Sequence, residues 1–156
     1  MIHVDIPFFP PSANNAYFTR GKLRVLSTEG KKYKNDVQNF LGRQHPEFLS
    51  FFAQKDMEYE MIFILFFEPG TLYNKTWPQT KDVSRHKKID ASNRAKLLED
   101  ILAKAAGYDD SQHFSVTTTK GEALPRQQPY VEVWAWREEE NGPIARFLTT
   151  RTTGTW

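Results

Sequence analysis

The chain has 156 residues, with 21 lysines and arginines against 19 aspartates and glutamates, and no cysteine. That length suits one domain around a single hydrophobic core, and the missing cysteines exclude disulfide staples and thiolate metal sites. A formal charge of +2 says little about partners by itself. No apolar run is long enough to span a bilayer and Met1 to Pro10 lacks the layout of a secretion signal, so a soluble, cytoplasmic protein is expected.

Ile2 to Phe8 alternates loosely and reads as a first strand, ended by Pro10 and Pro11, which cannot donate to a sheet ladder. Pro10 to Tyr17 reads as a polar turn. Phe18 to Leu26, with Gly21 in the middle, is expected as a short hairpin carrying Arg20, Lys22 and Arg24, cations that are most simply solvated surface. Ser27 and Thr28 can cap a helix whose stripe is Tyr33, Val37, Phe40 and Leu41, running to about Gln44. Phe48 to Phe52 is a short apolar piece after Pro46. Met57 to Phe67 is the strongest strand signal, apolar enough for a central strand buried on both faces. Glu68 to Ile89 is a long polar connection, of a length that often marks function.

The next helix is expected between Asp90 and Gly107, with Leu97, Leu98, Ile101, Leu102 and Ala105 as its apolar stripe. His113 to Lys120 and Pro129 to Arg137 alternate as strands separated by a turn. Residues 138–156 turn polar and are expected to be an extension with little core of its own. The result is an α+β fold: a single domain over 1–137 with a mixed β-sheet and two main helices. Most of the twelve phenylalanines, six tyrosines and four tryptophans should fill its core.

Chemistry concentrates around the second helix. Asp90, Asp109 and Asp110, with Asp100 between, offer oxygen ligands, which in a chain without cysteine suit Mg²⁺ or Mn²⁺. Such ions serve phosphoryl transfer, and Lys96 beside them suits a phosphate. Lys81, Arg85, Lys87, Lys88, Arg94 and Lys96 form a local basic excess against Asp82 and Asp90, as attraction for a polyanion requires. Spacing alone equally fits helix caps, an i, i+4 surface pair (Lys96 and Asp100) and an ordinary turn at Asp109-Asp110. The two outer aspartates also lie at opposite ends of a rod of roughly 20 Å, so they meet only if the chain folds back after Gly107. His3, His45, His86 and His113 show no metal-ligand spacing, and no nucleophile elbow or phosphate loop occurs.

Taken in order, the motifs resemble the RusA-like Holliday-junction resolvases, from about Ile6 to Trp136. Pro10-Pro11-Ser12 with Asn14 or Asn15 and Tyr17 is similar to that family's opening Pro-Pro-Ser-x-Asn motif, and Ser27, Glu29-Gly30 and Tyr33 to its first-helix entry. Asp90-Ala91-Ser92-Asn93 with Lys96 resembles its Asp-x-Asp-Asn-x-x-Lys signature, and Asp109-Asp110-Ser111-Gln112 its closing Asp-Asp-x-Gln. The resemblance implies a homodimeric crossover junction endodeoxyribonuclease that acts on branched DNA in recombination and repair, often phage- or prophage-borne. It makes Asp90 and Asp110 Mg²⁺-binding catalytic carboxylates, with Asp109 a further metal ligand, and Lys96 a catalytic lysine near the scissile phosphate. Arg85, Lys87, Lys88, Asn93 and Arg94, with Asn14 and Asn15 of the opening motif, would contact DNA, and aromatic or apolar residues would prop the branch open; Phe18 and Trp77, both in expected loops, are candidates, though packing of each against the domain is the simpler expectation. One position departs: Ser92 stands where the family's second signature aspartate is expected, which removes a charged ligand. The alternatives are therefore a branched-DNA-binding protein with weak or no cleavage, and an interaction module whose acids are only caps and turns.

Overall fold

In the computed structural model, residues 1–54, 56–76, 87 and 89–153 are described, with side chains to residue 149. Lys81, Arg85, His86, Lys88 and Trp77 lie outside the described residues.

β1 (Ile2–Ile6), β4 (Tyr59–Phe67), β5 (His113–Glu122) and β6 (Tyr130–Arg137) form one four-stranded sheet in the order β1-β6-β4-β5, while β2 (Tyr17–Arg20) and β3 (Leu23–Leu26) make a separate ribbon. β6 runs antiparallel to both β1 and β4, and β4 runs parallel to β5. The sheet is mixed, as the alternation of strands and helices in the sequence requires. The parallel step from β4 to β5 needs a crossover, and α4 (Ala91–Ala106) lies in that connection.

Every second residue of β4 is sealed from solvent: Tyr59, Met61, Phe63 and Leu65 are fully buried. They join Val4, Ile6, Val131 and Val133 from the neighbouring strands and Tyr33, Val37, Leu41, Phe48, Leu98 and Leu102 from α2 (Thr28–Gln44), α3 (Pro46–Phe51) and α4 in one core. The opposite face of β4 is only half-buried at Ile62, Ile64 and Phe66, so the strand is shut in on one side and not on both. The physical reason is that α2, α3 and α4 pack on one face, leaving large apolar side chains of the other face to cover one another; Phe66 stacks on Tyr130 across the β4–β6 pair.

The polar segment after Arg137 contains α5 (Pro143–Thr153), which its composition did not announce. The helix is tied back by Glu60, a fully buried carboxylate on β4 that accepts from the amides of Ile144 at 2.8 Å and Ala145 at 3.3 Å. A buried charge is tolerable when opposite partial charges surround it, and a helix N-terminus supplies them.

Candidate active site

Asp90 is the N-cap of α4. Its Oδ1 accepts from the Asn93 amide at 3.0 Å and its Oδ2 from the Asn93 side chain. Asp90, Asn93 and Arg94 line a cavity of about 330 Å³ together with Ser12, Ala13, Asn14 and Ile89. The Pro-Pro-Ser-Ala-Asn-Asn-Ala-Tyr segment thus lies against the start of α4, far along the chain but adjacent in space.

The motif residues that bring it there do structural work. α1 (Ala13–Ala16) is a single turn started by Ser12, whose carbonyl accepts from Asn15 and Ala16. Ser27, the N-cap of α2, donates its hydroxyl to the Asn15 carbonyl at 2.5 Å and its amide to the Ala16 carbonyl at 2.8 Å. Gly30 lets the two turns touch, since a Cβ there would overlap the Ala16 carbonyl oxygen. From the other side, Arg94 donates to the Pro10 carbonyl at 2.6 Å and lies over the Phe9 and Phe67 rings. Arg94 is therefore half-buried scaffold that joins α4 to the opening loop.

Further along α4, Asn93, Lys96 and Asp100 share a face, as i, i+3, i+7 spacing dictates. Gly107 ends the helix with a left-handed backbone (φ 74°), and the chain turns back. That reversal delivers Asp110 to within 2.5 Å of the Lys96 ammonium, which also meets Asp100 at 3.2 Å and Glu99 at 3.4 Å. Burial would pull the Lys96 ammonium down, but the hydrogen bonds it donates to Asp110 and Asp100 and the charge of Glu99 outweigh that and hold it above its ordinary range. Lys96 is a permanent cation here and not a base.

Behind Lys96 is a group the sequence pattern did not single out. Glu99 presents its other oxygen to His113 Nδ1 at 2.7 Å, and His113 Nε2 lies 2.8 Å from the Tyr108 hydroxyl. The His113 side chain is 1% exposed and that of Glu99 9%. An ionised carboxylate only accepts, so Nδ1 carries the hydrogen and, in the neutral ring, Nε2 accepts from Tyr108. Burial pushes the Glu99 carboxyl up, yet the His113 hydrogen bond and the Lys96 charge prevail and hold it below its ordinary range. The available signal was a glutamate inside the apolar stripe, in line with Ala95, Leu98 and Leu102.

Asp109 has a different local task. Its carboxylate accepts from the Ser111 amide at 2.8 Å and caps a short 3₁₀ turn in a reciprocal box with Gln112, and the Ser111 bonds hold it below the ordinary carboxylate range. Gln112 is in turn anchored on the Met57 carbonyl at 2.8 Å. Ser92, Asn14 and Asn15 are exposed, and Lys87 is half-buried with its amide on the Leu72 carbonyl. Among the described residues, Asp90 and Asp110 share no hydrogen-bond or ion-pair partner. Tyr17 spans between their surroundings: it lies close enough to Asp100 and Lys96 to feel both charges, and it lines a second cavity of about 410 Å³ with Asn14 and Arg24. Asn14 borders both cavities.

The three-ligand group that the fold assembles among the described residues is elsewhere. His3, Asp5 and Glu132 bring ligand atoms within 4.8 Å of one another on β1 and β6. Asp5 faces Glu132 in register, and His3 stacks on Trp134. Strand pairing, not sequence spacing, unites them.

The fold is an α+β domain in which Lys96 is held among the carboxylates of Glu99, Asp100 and Asp110. The family model described as endodeoxyribonuclease RusA matches residues 7–134, most of the chain, and the protein belongs to that family. It is accordingly a nuclease of the hydrolase class, with DNA as its substrate. A comparison with curated proteins finds none that matches. No helix among the described residues is long and apolar enough to cross a membrane.

Proposed function

We propose that this chain is a Mg²⁺-dependent, structure-specific endonuclease that works as a cytoplasmic homodimer and resolves Holliday junctions or related branched DNA by paired nicks. The observation that carries this reading is the Lys96 cation held between Asp110 and Asp100 on the helix that Asp90 caps, in a chain of an endodeoxyribonuclease family.

The donor chemistry fits a hard divalent cation, since Asp90 is exposed and Asp110 half-exposed, and both offer carboxylate oxygens. Mg²⁺ is commonly held by one or two carboxylates completed by water and substrate phosphate. Asp90 and Asp110 would each bring one carboxylate to such an ion, with the neutral Ser92 contributing no charge and Asp109 kept to its turn. When bound, the ion supplies charge neutralisation at phosphorus and a more acidic water.

The chain's own residues do the rest. Lys96, a cation at any physiological pH, stabilises charge that develops on the phosphate and on the departing 3′ oxygen. An incoming phosphate competes with Asp110 for the ammonium, which frees that carboxylate as a ligand. Asn93 fixes the Asp90 carboxylate, and Asn14 offers an amide to the sugar-phosphate backbone at the mouth of the cavity. Arg85, Lys87 and Lys88 supply attraction for the polyanion, Arg94 holds the opening loop in place, and residues 138–156 serve as an accessory outside the endonuclease domain.

The experiment is a synthetic four-way junction, each strand end-labelled in turn, incubated with the protein with and without Mg²⁺ or Mn²⁺. Symmetric nicks that need the ion support the reading. Binding in every condition with no product overturns it in favour of a junction-binding protein without cleavage, the rival that Ser92 motivates.

A further inference from the structure

The β2–β3 ribbon belongs to neither the core sheet nor the helical layer. Its base is anchored, because Tyr17 and Leu26 pack on the core and Ser27 is bonded to α1. Its tip is a two-residue turn with Gly21 at φ +63°, a backbone that glycine adopts without strain. Cross-strand register puts Phe18, Val25, Arg20 and Leu23 on one face and Tyr17, Leu26, Thr19 and Arg24 on the other.

Two observations make this ribbon more than solvated surface. Arg20, Lys22 and Arg24 are all exposed, and among the described residues none has an ion-pair partner. Beside them Phe18 is 49% and Leu23 69% exposed. Unneutralised cations interleaved with bare apolar side chains are the composition of a nucleic-acid surface, where phosphates take the charge and bases stack on the rings. The second observation is position. Arg24 lies 4.4 Å over the Tyr17 ring, and both line the cavity that Asn14 shares with the Asp90 site.

We propose that the β2–β3 ribbon is the arm that holds the DNA strand entering the active site, with Arg20, Lys22 and Arg24 on backbone phosphates and Phe18 stacked on a base left unpaired at the branch. This rests on the endonuclease reading for the identity of the ligand but not for its cleavage. Arg24 points a phosphate toward Asn14 and the Asp90 cavity, and Phe18, which lines the same cavity as Arg24, meets the open branch at its rim.

The test is the affinity of the full chain for a synthetic four-way junction and for a linear duplex, without divalent ions, over a series of salt concentrations. Loss of three phosphate contacts in Arg20→Ser/Lys22→Ser/Arg24→Ser should flatten the slope of log affinity against log salt by roughly 2.7, about 0.9 for each cation. Arg43→Ser, an exposed cation on the last turn of α2, should leave that slope unchanged. Phe18→Ala should weaken junction binding about tenfold and leave duplex binding and the slope as they were. All these positions are exposed, and an unchanged melting temperature shows that each variant folds. A triple variant that keeps the wild-type slope overturns the arm, even if the wild type cleaves. A wild type that binds with this salt dependence yet nicks nothing in Mg²⁺ or Mn²⁺ overturns the endonuclease reading and leaves the arm standing.

Discussion

The Lys96 ammonium lies 2.5 Å from Oδ2 of Asp110, a residue the chain reaches only after it has left α4 at Gly107 and reversed. Half of each side chain is open to solvent, so the pair is worth little to stability. On the proposed reading the pair serves chemistry instead, with a cation and a metal-binding carboxylate in contact until a phosphate separates them. Lys96→Ala and Asp110→Asn should each slow single-turnover nicking of a four-way junction by about 100- to 1000-fold. The double variant should be no slower than the worse single one, since residues that act as a unit are not additive. Independent, multiplying losses would show that the two do not work together.

The Glu99–His113 pair beneath Lys96 is different in kind, because it is buried. Removing one partner leaves the other desolvated and short of a hydrogen bond, and in His113→Ala Glu99 keeps only its 3.4 Å contact with Lys96, so unfolding free energy should fall by about 2 kcal/mol. Replacing both with leucine should restore most of that loss. Urea denaturation of the two singles and the double decides it, and a double variant as unstable as the singles would refute the pairing argument.

The depressed Glu99 carboxyl also ties stability to pH. A group held low in the folded state contributes stability above its unfolded value, near 4.3 for glutamate, and loses it as pH falls through the folded value. The urea midpoint of the wild type should therefore decline with acid below about pH 4.3, and Glu99→Gln should decline less steeply over the same window. Parallel pH profiles would show that Glu99 is not linked in this way.

Gly30 offers a way to disturb the site without touching an acid. In Gly30→Ala the new methyl group meets the Ala16 carbonyl, and overpacking of this kind costs roughly 1–3 kcal/mol. α1 should shift and carry Asn14 with it, so junction nicking should fall more than stability alone explains. Nicking per folded molecule, measured well below the melting temperature, is the check; full activity there would mean the placement of α1 is unimportant.

At the other end of the molecule, Glu60→Ala takes the carboxylate from under α5. The amides of Ile144 and Ala145 should then exchange their hydrogens at least about tenfold faster, as lost charge-assisted hydrogen bonds of about 1.5–3 kcal/mol require. Unchanged exchange at both amides would mean that something else holds the helix.

Hydrophobic spacing and punctuation in the sequence were enough to determine most elements: the strand at Ile2, the hairpin around Gly21, α2 behind its Ser27 cap, β4, α4 between Asp90 and Gly107, and the two closing strands. These are local properties, set by periodicity of two or 3.6 and by residues that suit one backbone conformation. Motif order likewise pointed to the family. Only tertiary structure decided which side chains meet. The reversal after Gly107 joins Asp110 to Lys96, the Ser27 and Gly30 contacts seat Asn14 beside Asp90, and strand register sets His3 and Asp5 against Glu132. It also decided that the carboxylates of Glu99 and Glu60 are buried and which groups meet them there. Contacts between residues distant in the chain depend on how layers pack and in what register strands pair, and a linear pattern of hydrophobicity carries no record of either.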